Sequence, residues 1–291
     1  MTTTRLPRFG AVGVRFAMGL ALTALCGIAT PSTTRAQGAS AQNRSLAARI
    51  DAVKVGTVRF TFAARDNVCG DGMSWFRTRP NGSTSSTNVS YNGDFNGNFS
   101  GVRDVEPTCE RGPVRLVVIR DSAQTKQIRT YVGGKWRADT GITDLGTIPA
   151  REAGAWLLRM AETGPDRPAR SAITAATLAD SVDAAPALLR IAKDDKRPTD
   201  VRSSALNWLG DVVGDKVSST LDSIAYEAGD REVRKQAIYA MSRRPADEAI
   251  PALLKMAETL PDRELRKTAV QWLARSKDPR AISWVERRIN K

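Results

Sequence analysis

The sequence predicts an α+β multidomain chain: a small β-rich N-terminal domain followed by an all-α solenoid. Three observations predict it. The C-terminal half repeats itself every 32 residues. Stretches between residues 55 and 132 alternate apolar with polar side chains, the period of a half-buried strand. Between Cys69 and Cys109 the text turns rich in Gly, Asn and Ser, the composition of loops and short edge strands.

Residues 1–36 are expected to be a signal peptide. Arg5, Arg8 and Arg15 form a basic start without acids, and residues 16–29 are an apolar run of 14 residues. Thr34 and Ala36 then supply small side chains for cleavage after Ala36. The run is short for a membrane span, which needs about 20 residues, so no transmembrane segment is expected after cleavage. Bacterial export to the periplasm or the cell exterior follows as the expected localisation. Removing this segment takes away four arginines and lowers the formal charge from +13 to +9. It also leaves two cysteines, Cys69 and Cys109. In an oxidising compartment they are expected to form a disulfide, and their spacing is unlike a C-x-x-C redox motif.

Residues 37–54 read as a linker and short helix with Leu46, Ile50 and Val53 on one face. Residues 55–145 read as the β-rich domain. Val58, Phe60 and Phe62 alternate with Arg59 and Thr61, and residues 114–120 and 127–132 give two more strands joined by a polar turn at 121–126. Trp75, Phe76, Tyr91, Phe95 and Phe99 lie in or beside the Gly/Asn-rich excursion. There they either stack on a sugar or a partner, as aromatic loop residues do in paratopes, or plug the open face of the sheet. The run at 91–101 is similar to a calcium-binding glycine-rich repeat, with Asp66, Asp71, Asp94 and Asp104 as oxygen donors. It holds one Asp and has no second copy, so it reads as a loop.

From residue 149 to 291 the repeat sets the structure. Segments starting at Ala169, Val201, Val233 and Leu265 align at a shift of 32. Four residues on stand Ile173, Ala205, Ala237 and Ala269, and eight on stand Thr177, Leu209, Met241 and Leu273. Offsets of 0, 4 and 8 mark one face of a helix. A second helix follows each first one, with Leu157, Leu189, Leu221, Leu253 and Val285 in one column. Residues 157–167 and 253–263 differ at only two positions because they are the same place three periods apart. Asp166, Asp230 and Asp262 are placed to cap the next helix, and Thr199 or Asp200 to do so where Pro198 interrupts the column. A two-helix unit of this length buries both faces only by stacking, so about four and a half repeats form a solenoid.

Arginine recurs at 170, 202, 234 and 266. Its presence in every unit predicts pairing with a nearby Asp or Glu that closes the stack, in preference to a ligand ladder. Trp208 and Trp272 share a column with Ala176 and Ala240, which reads as large–small packing. The C-terminal end is the most basic local surface of the array, and Arg287 and Arg288 are its candidate binding residues.

The pattern D-x-x-[VL]-R-x-x-A-[ILV]-x-x-[LM] followed by A-x-P-A-L-L resembles HEAT repeats, of the short type named after phycobilisome lyases. The resemblance covers residues 149–290. It implies a curved two-helix array used mostly to bind other proteins, with some relatives that bind bilins or DNA. The chain has no histidine, which excludes Ser-His-Asp and Cys-His catalysis and His-ligated metals. No catalytic residue, cofactor or metal is assigned. The expected function is non-catalytic binding or scaffolding of an unidentified protein partner, with anionic envelope components as a further fit and nucleic acid disfavoured by the export signal. The alternatives are a ligand-handling enzyme by analogy with the lyases, for which Asp194, Asp195, Asp211 and Asp215 are the acids at hand, and sugar or small-ligand binding by the aromatic loop.

Overall fold

The computed structural model describes residues 44–78, 84–88, 109–212 and 215–289, all within one compact unit, Arg44–Lys291. The expected signal peptide, Tyr91, Phe95 and Phe99 lie outside the described residues. A short helix, α1 (Leu46–Asp51), buries Leu46 and Ile50. The main sheet follows, built from β1 (Gly56–Phe62), β5 (Val114–Asp121), β6 (Gln124–Val132) and β7 (Ile142–Thr147), in the order β6-β5-β1-β7. β5 pairs antiparallel with β1 and with β6, while β7 runs parallel to β1. Val58, Phe60, Phe62, Leu116, Val118 and Ile128 cover one face and are buried, as alternation requires. The opposite face carries Arg59, Val117 and Arg129 in one cross-strand row and Thr61, Arg115 and Tyr131 in the next.

Two features of this sheet differ from expectation. The turn between β5 and β6 is only Ser122-Ala123, both with positive φ (50° and 61°), closed by the pair Asp121 and Gln124. Such a two-residue turn matches the twist of the strands it joins, so β6 starts earlier than the apolar pattern suggests. β7 is an unforeseen strand, mostly exposed along an edge, where burial imposes no alternation. A second sheet holds β2 (Val68–Gly70), β3 (Ser74–Thr78) and β4 (Thr84–Asn88) in sequence order. The Cys69–Cys109 disulfide ties β2 to the start of β5's lead, and Gly70 and Glu110 exchange backbone bonds of 2.9 Å beside it.

Consecutive helices run from residue 150 to 289, a helical repeat solenoid. Its first helices of each pair are α3 (Asp166–Leu178), α5 (Thr199–Leu209), α7 (Arg231–Ser242) and α9 (Arg263–Arg275). Its second helices are α2 (Ala150–Thr163), α4 (Ala185–Lys193), α6 (Asp215–Glu227), α8 (Ala246–Thr259) and α10 (Pro279–Ile289). Ala169, Val201, Val233 and Leu265 are fully buried, and so are Ile173, Ala205, Ala237 and Ala269. In α4 the buried leucine is Leu188, one residue from the expected column at Leu189. Asp230 and Asp262 cap α7 and α9 through Oδ1, which accepts the Glu232 and Glu264 amides at 2.8 Å. Asp166 does not cap: Pro165 takes the cap position of α3, and Asp166 is its first helical residue. Pro198 does the same for α5, and the Thr199 hydroxyl donates instead to Asp230 of the next repeat.

The chain packs across the boundary between sheet and repeats. The Arg65 amide donates to Leu178 O at 3.0 Å and the Asp180 amide to Ala63 O at 2.9 Å. Phe60 of β1 meets Trp156 of α2 edge-on, centroids 6.2 Å apart. The Leu46 amide donates to Glu152 at 2.7 Å. Among the described residues no helix is long and apolar enough to cross a membrane.

Candidate functional site

A cleft of about 1610 Å³ opens between the outer face of the main sheet and the first helices of the array. One wall is Arg59, Arg115, Gln127, Arg129 and Tyr131, continued by Lys135, Trp136 and Arg137 after β6. The other is polar and small: Ser171 and Thr174 from α3, Ser203, Ser204 and Asn207 from α5, and Gln236 from α7. Arg167, Arg170 and Asp200 stand at the starts of α3 and α5. Among the described lining residues nine side chains are cationic and four are carboxylates, so the cleft favours anions.

The most buried part of the lining joins the two modules. Trp75 of β3 stacks on Trp208 of α5, centroids 6.1 Å apart and rings inclined by 23°. The Arg77 guanidinium lies 4.3 Å from the Trp208 ring centre and pairs with Asp211, which also pairs with Arg243. Arg243 donates to Asn207 Oδ1 at 2.6 Å, and burial holds its pKa below the usual arginine value. Trp75 is 2% exposed and packs between the two modules, in keeping with the packing alternative of the two readings open to the aromatics of this stretch. Trp208 likewise packs against the sheet module, not simply down the repeat stack. Phe76 is half-buried on β3.

Arg115 orders the cleft wall. Its Nη2 donates to Gly72 O at 2.9 Å and its Nη1 to Lys135 O at 2.8 Å, joining the β2–β3 turn to the segment after β6. Gly72 (φ 89°) and Gly134 (φ 67°) approach so closely there that a Cβ on Gly134 would lie 2.9 Å from Gly72 Cα. Burial lowers the Arg115 pKa. Trp136, which the sequence did not single out, has Arg59 and Arg115 at 5.2 and 4.9 Å from its ring centre. Lys135, Arg129 and Arg137 make no ion pair among the described residues.

The arginine column has a structural task with one exception. Arg202 donates to Ala192 O at 3.1 Å, Arg234 to Ala225 O at 2.9 Å, and Arg266 to Leu260 O at 2.5 Å. Each acceptor is at or near the C-terminal end of the preceding helix, where carbonyls lack helical partners. Among the described residues the expected carboxylate partner is present only for Arg170, with Asp200 at 3.3 Å, and Arg202, with Asp195 at 2.8 Å. At the end of α2 the equivalent work falls to Arg197, which donates to Ala161 O and Gly164 O at 3.3 and 3.0 Å. Arg170 is thereby left exposed at the cleft.

Other candidates are not brought together. Arg287 and Arg288 are exposed on α10, far along the array from the cleft lining. Arg288 lies over Trp284 and borders a depression of about 400 Å³ with Arg263, Arg266 and Lys267. Asp71 Oδ1 accepts the Met73 and Ser74 amides at 2.8 and 2.6 Å, and of the three other acids named for calcium, Asp94 and Asp104 lie outside the described residues. Asp194 turns onto the Lys196 amide, Asp195 onto Arg202, and Asp211 onto Arg77 and Arg243, so these acids form no common pair.

Residues 219–291 match the HEAT-repeat family model, about a quarter of the chain. No curated protein matches the chain.

Proposed function

We propose that this chain is an exported, non-catalytic binding protein that holds a protein partner in the cleft between its sheet and its HEAT-like repeats. The observation that carries the reading is the cleft itself. Its two walls come from different modules, and the buried Trp75–Trp208 and Arg77–Asp211–Arg243 contacts fix them against each other. A preformed groove of that kind loses little freedom when a partner enters it. HEAT-type arrays generally serve protein–protein interaction, which agrees with a scaffold role. Export is supported by the basic, apolar and small-residue order of the first 36 residues and by a cysteine pair that an oxidising compartment would maintain.

The test places a photo-crosslinking amino acid at Ser203, inside the cleft, and at Lys216 on α6, outside its lining. Expressed in its own cells, the full chain should yield a discrete crosslinked protein from Ser203 and none of the same mass from Lys216. Equal labelling at both positions, or none at Ser203, would overturn the reading. N-terminal sequencing of the mature chain from the extracytoplasmic fraction should begin at Gln37, and an intact Met1 would refute cleavage.

A further inference from the structure

We infer that the occupant of this cleft is an acidic segment of the partner protein, gripped by side-chain charge and not by strand pairing. The inference rests on the binding reading above and names the chemistry of that partner. The edge of β6 is closed. The Gly72 amide donates to Val132 O at 2.9 Å, Ile128, Thr130 and Val132 are buried, and α3 and the β2–β3 segment pack against the strand. Binding therefore falls to side chains. Five of the nine lining cations are engaged within the fold: Arg59 pairs with Asp144, Arg77 and Arg243 with Asp211, and Arg170 with Asp200, while Arg115 holds two main-chain carbonyls. Arg129, Lys135 and Arg137 make no ion pair among the described residues, and neither does Asp139. Three such cations against one such carboxylate leave this wall positive and without its counter-charge.

The facing wall and the aromatic rings narrow the occupant further. Ser171, Ser203, Ser204 and Gln236 are half-buried, and their side chains make no hydrogen bond among the described residues. Hydroxyls and amides both donate and accept, which is what the amides and carbonyls of a peptide require. The rings of the lining already have partners. Arg59 and Arg115 lie 5.2 and 4.9 Å from the centre of Trp136, Arg115 lies 5.5 Å from that of Tyr131, and Trp208 carries Trp75 and Arg77. A single-stranded nucleic acid is held by rings open to stacking and by a basic groove that follows its backbone. Here the rings are occupied and the unpaired cations are three. That number suits two or three carboxylates along a peptide better than a polymer charged at every unit. The volume of about 1610 Å³ exceeds the ~300–1,000 Å³ of ordinary small-ligand pockets, leaving room for a chain segment.

The experiment uses the full chain and a fluorescein-labelled decapeptide of alternating Glu and Ser, followed by fluorescence anisotropy. The comparison probes are a Gln-for-Glu peptide and, as competitors, heparin fragments and a ten-nucleotide oligothymidylate. The Glu peptide should bind, and the Gln peptide should bind at least tenfold more weakly. Lys135 and Arg137 are exposed and serve the fold through their main-chain oxygens, which accept from Arg115 and Arg59, so their side chains can be changed without releasing the wall. Lys135→Glu/Arg137→Glu should weaken the Glu peptide at least tenfold with an unchanged circular dichroism spectrum, and Arg137→Gln, which removes one charge, should weaken it in the same direction. Lys193→Glu/Lys216→Glu, the same charge change on α4 and α6 outside the cleft lining, should leave it unaltered. Equal binding of the two peptides, or equal losses in the two double variants, would overturn an acidic site in the cleft. Heparin or the oligothymidylate competing more tightly than unlabelled Glu peptide, and losing as much on Lys135→Glu/Arg137→Glu, would overturn the peptide in favour of a general polyanion. Absence of peptide binding overturns the acidic segment, while a Ser203 crosslink obtained separately would keep the binding reading intact.

Discussion

Asp211 is a single carboxylate held between two guanidinium groups, with its side chain only 3% exposed. Removing its charge while keeping its shape leaves Arg77 and Arg243 facing each other in a poorly solvated place. Loss of one partner from a buried ion pair costs about 3–5 kcal/mol. Asp211→Asn should therefore lower the unfolding free energy by about 3 kcal/mol in urea titrations, and a loss below about 1 kcal/mol would show that the pair is solvated. Half-buried carboxylates set a different dependence. An Arg280 hydrogen bond holds Asp278 at about 2, the Thr199 hydroxyl lowers Asp230, and the Ser218 hydroxyl lowers Glu248. Groups lowered in the fold contribute above their ordinary values, 3.8 for Asp and 4.5 for Glu, and lose that contribution as pH falls through the lowered ones. Lys255, raised by its bond to Asp222, contributes below its ordinary 10.5 and loses that as pH rises through the raised value. With no histidine to titrate between them, the urea midpoint should be level from about pH 5 to about 8 and fall below about pH 4. A midpoint that moves within the level range would contradict this. At this scale the sequence showed which residues recur but not what they touch. Asp211 read as one of several scattered acids because its partner Arg77 lies 134 positions away in the chain. Arg170 read as one of a column because its departure depends on Arg197 reaching the carbonyls of α2.

Helices were the most legible elements, since apolar residues at fixed offsets state both their period and their buried face. Their starts were less so. Asp166, Asp230 and Asp262 occupy one column, yet only the last two accept helix amides. A proline immediately before Asp166 takes the cap position and moves the start of α3 one residue earlier. Asp230→Ala should thus cost about 1 kcal/mol of stability in urea titrations, whereas Asp166→Ala should change it by only a few tenths. Equal losses would mean that Asp166 caps in solution. Strands β1, β5 and β6 were legible because one face is buried and the other is not. β7 was not, because an exposed edge strand carries no such alternation, and the β5–β6 turn hid within a polar run. The cleft wall after β6 was equally silent: Trp136 stands alone in a loop, and only the fold brings Arg59 and Arg115 to it.

At the scale of the molecule, the composition change near residue 149 reads as a border, and the packing crosses it. The joint is made of backbone bonds at Arg65 and Asp180 and of two aromatic contacts, Phe60 with Trp156 and Trp75 with Trp208. Backbone bonds leave no mark in a sequence, and each aromatic pair spans about a hundred residues or more. The joint also determines how the chain should come apart. In a repeat array each unit contacts mainly its neighbours, so its ends open more readily than its middle. Here one end is covered: α3 lies on β6, and Trp156 is buried against Phe60. The other end, α9 and α10, has neighbours on one side and carries exposed Ile282 and Ile289. Hydrogen exchange of the full chain should then show β1, β5 and α3 protected alike, as one cooperative unit, with α9 and α10 exchanging sooner. Cutting the chain at residue 149 supplies the complementary measurement. The fragment 149–291 would expose Trp156, Trp208 and the sheet-facing side of α3, and it should bind the dye ANS and lose protection in α2 and α3 first. A fragment that keeps full protection in those two helices would show that the solenoid stands without the sheet, and that the cleft between them is free to open.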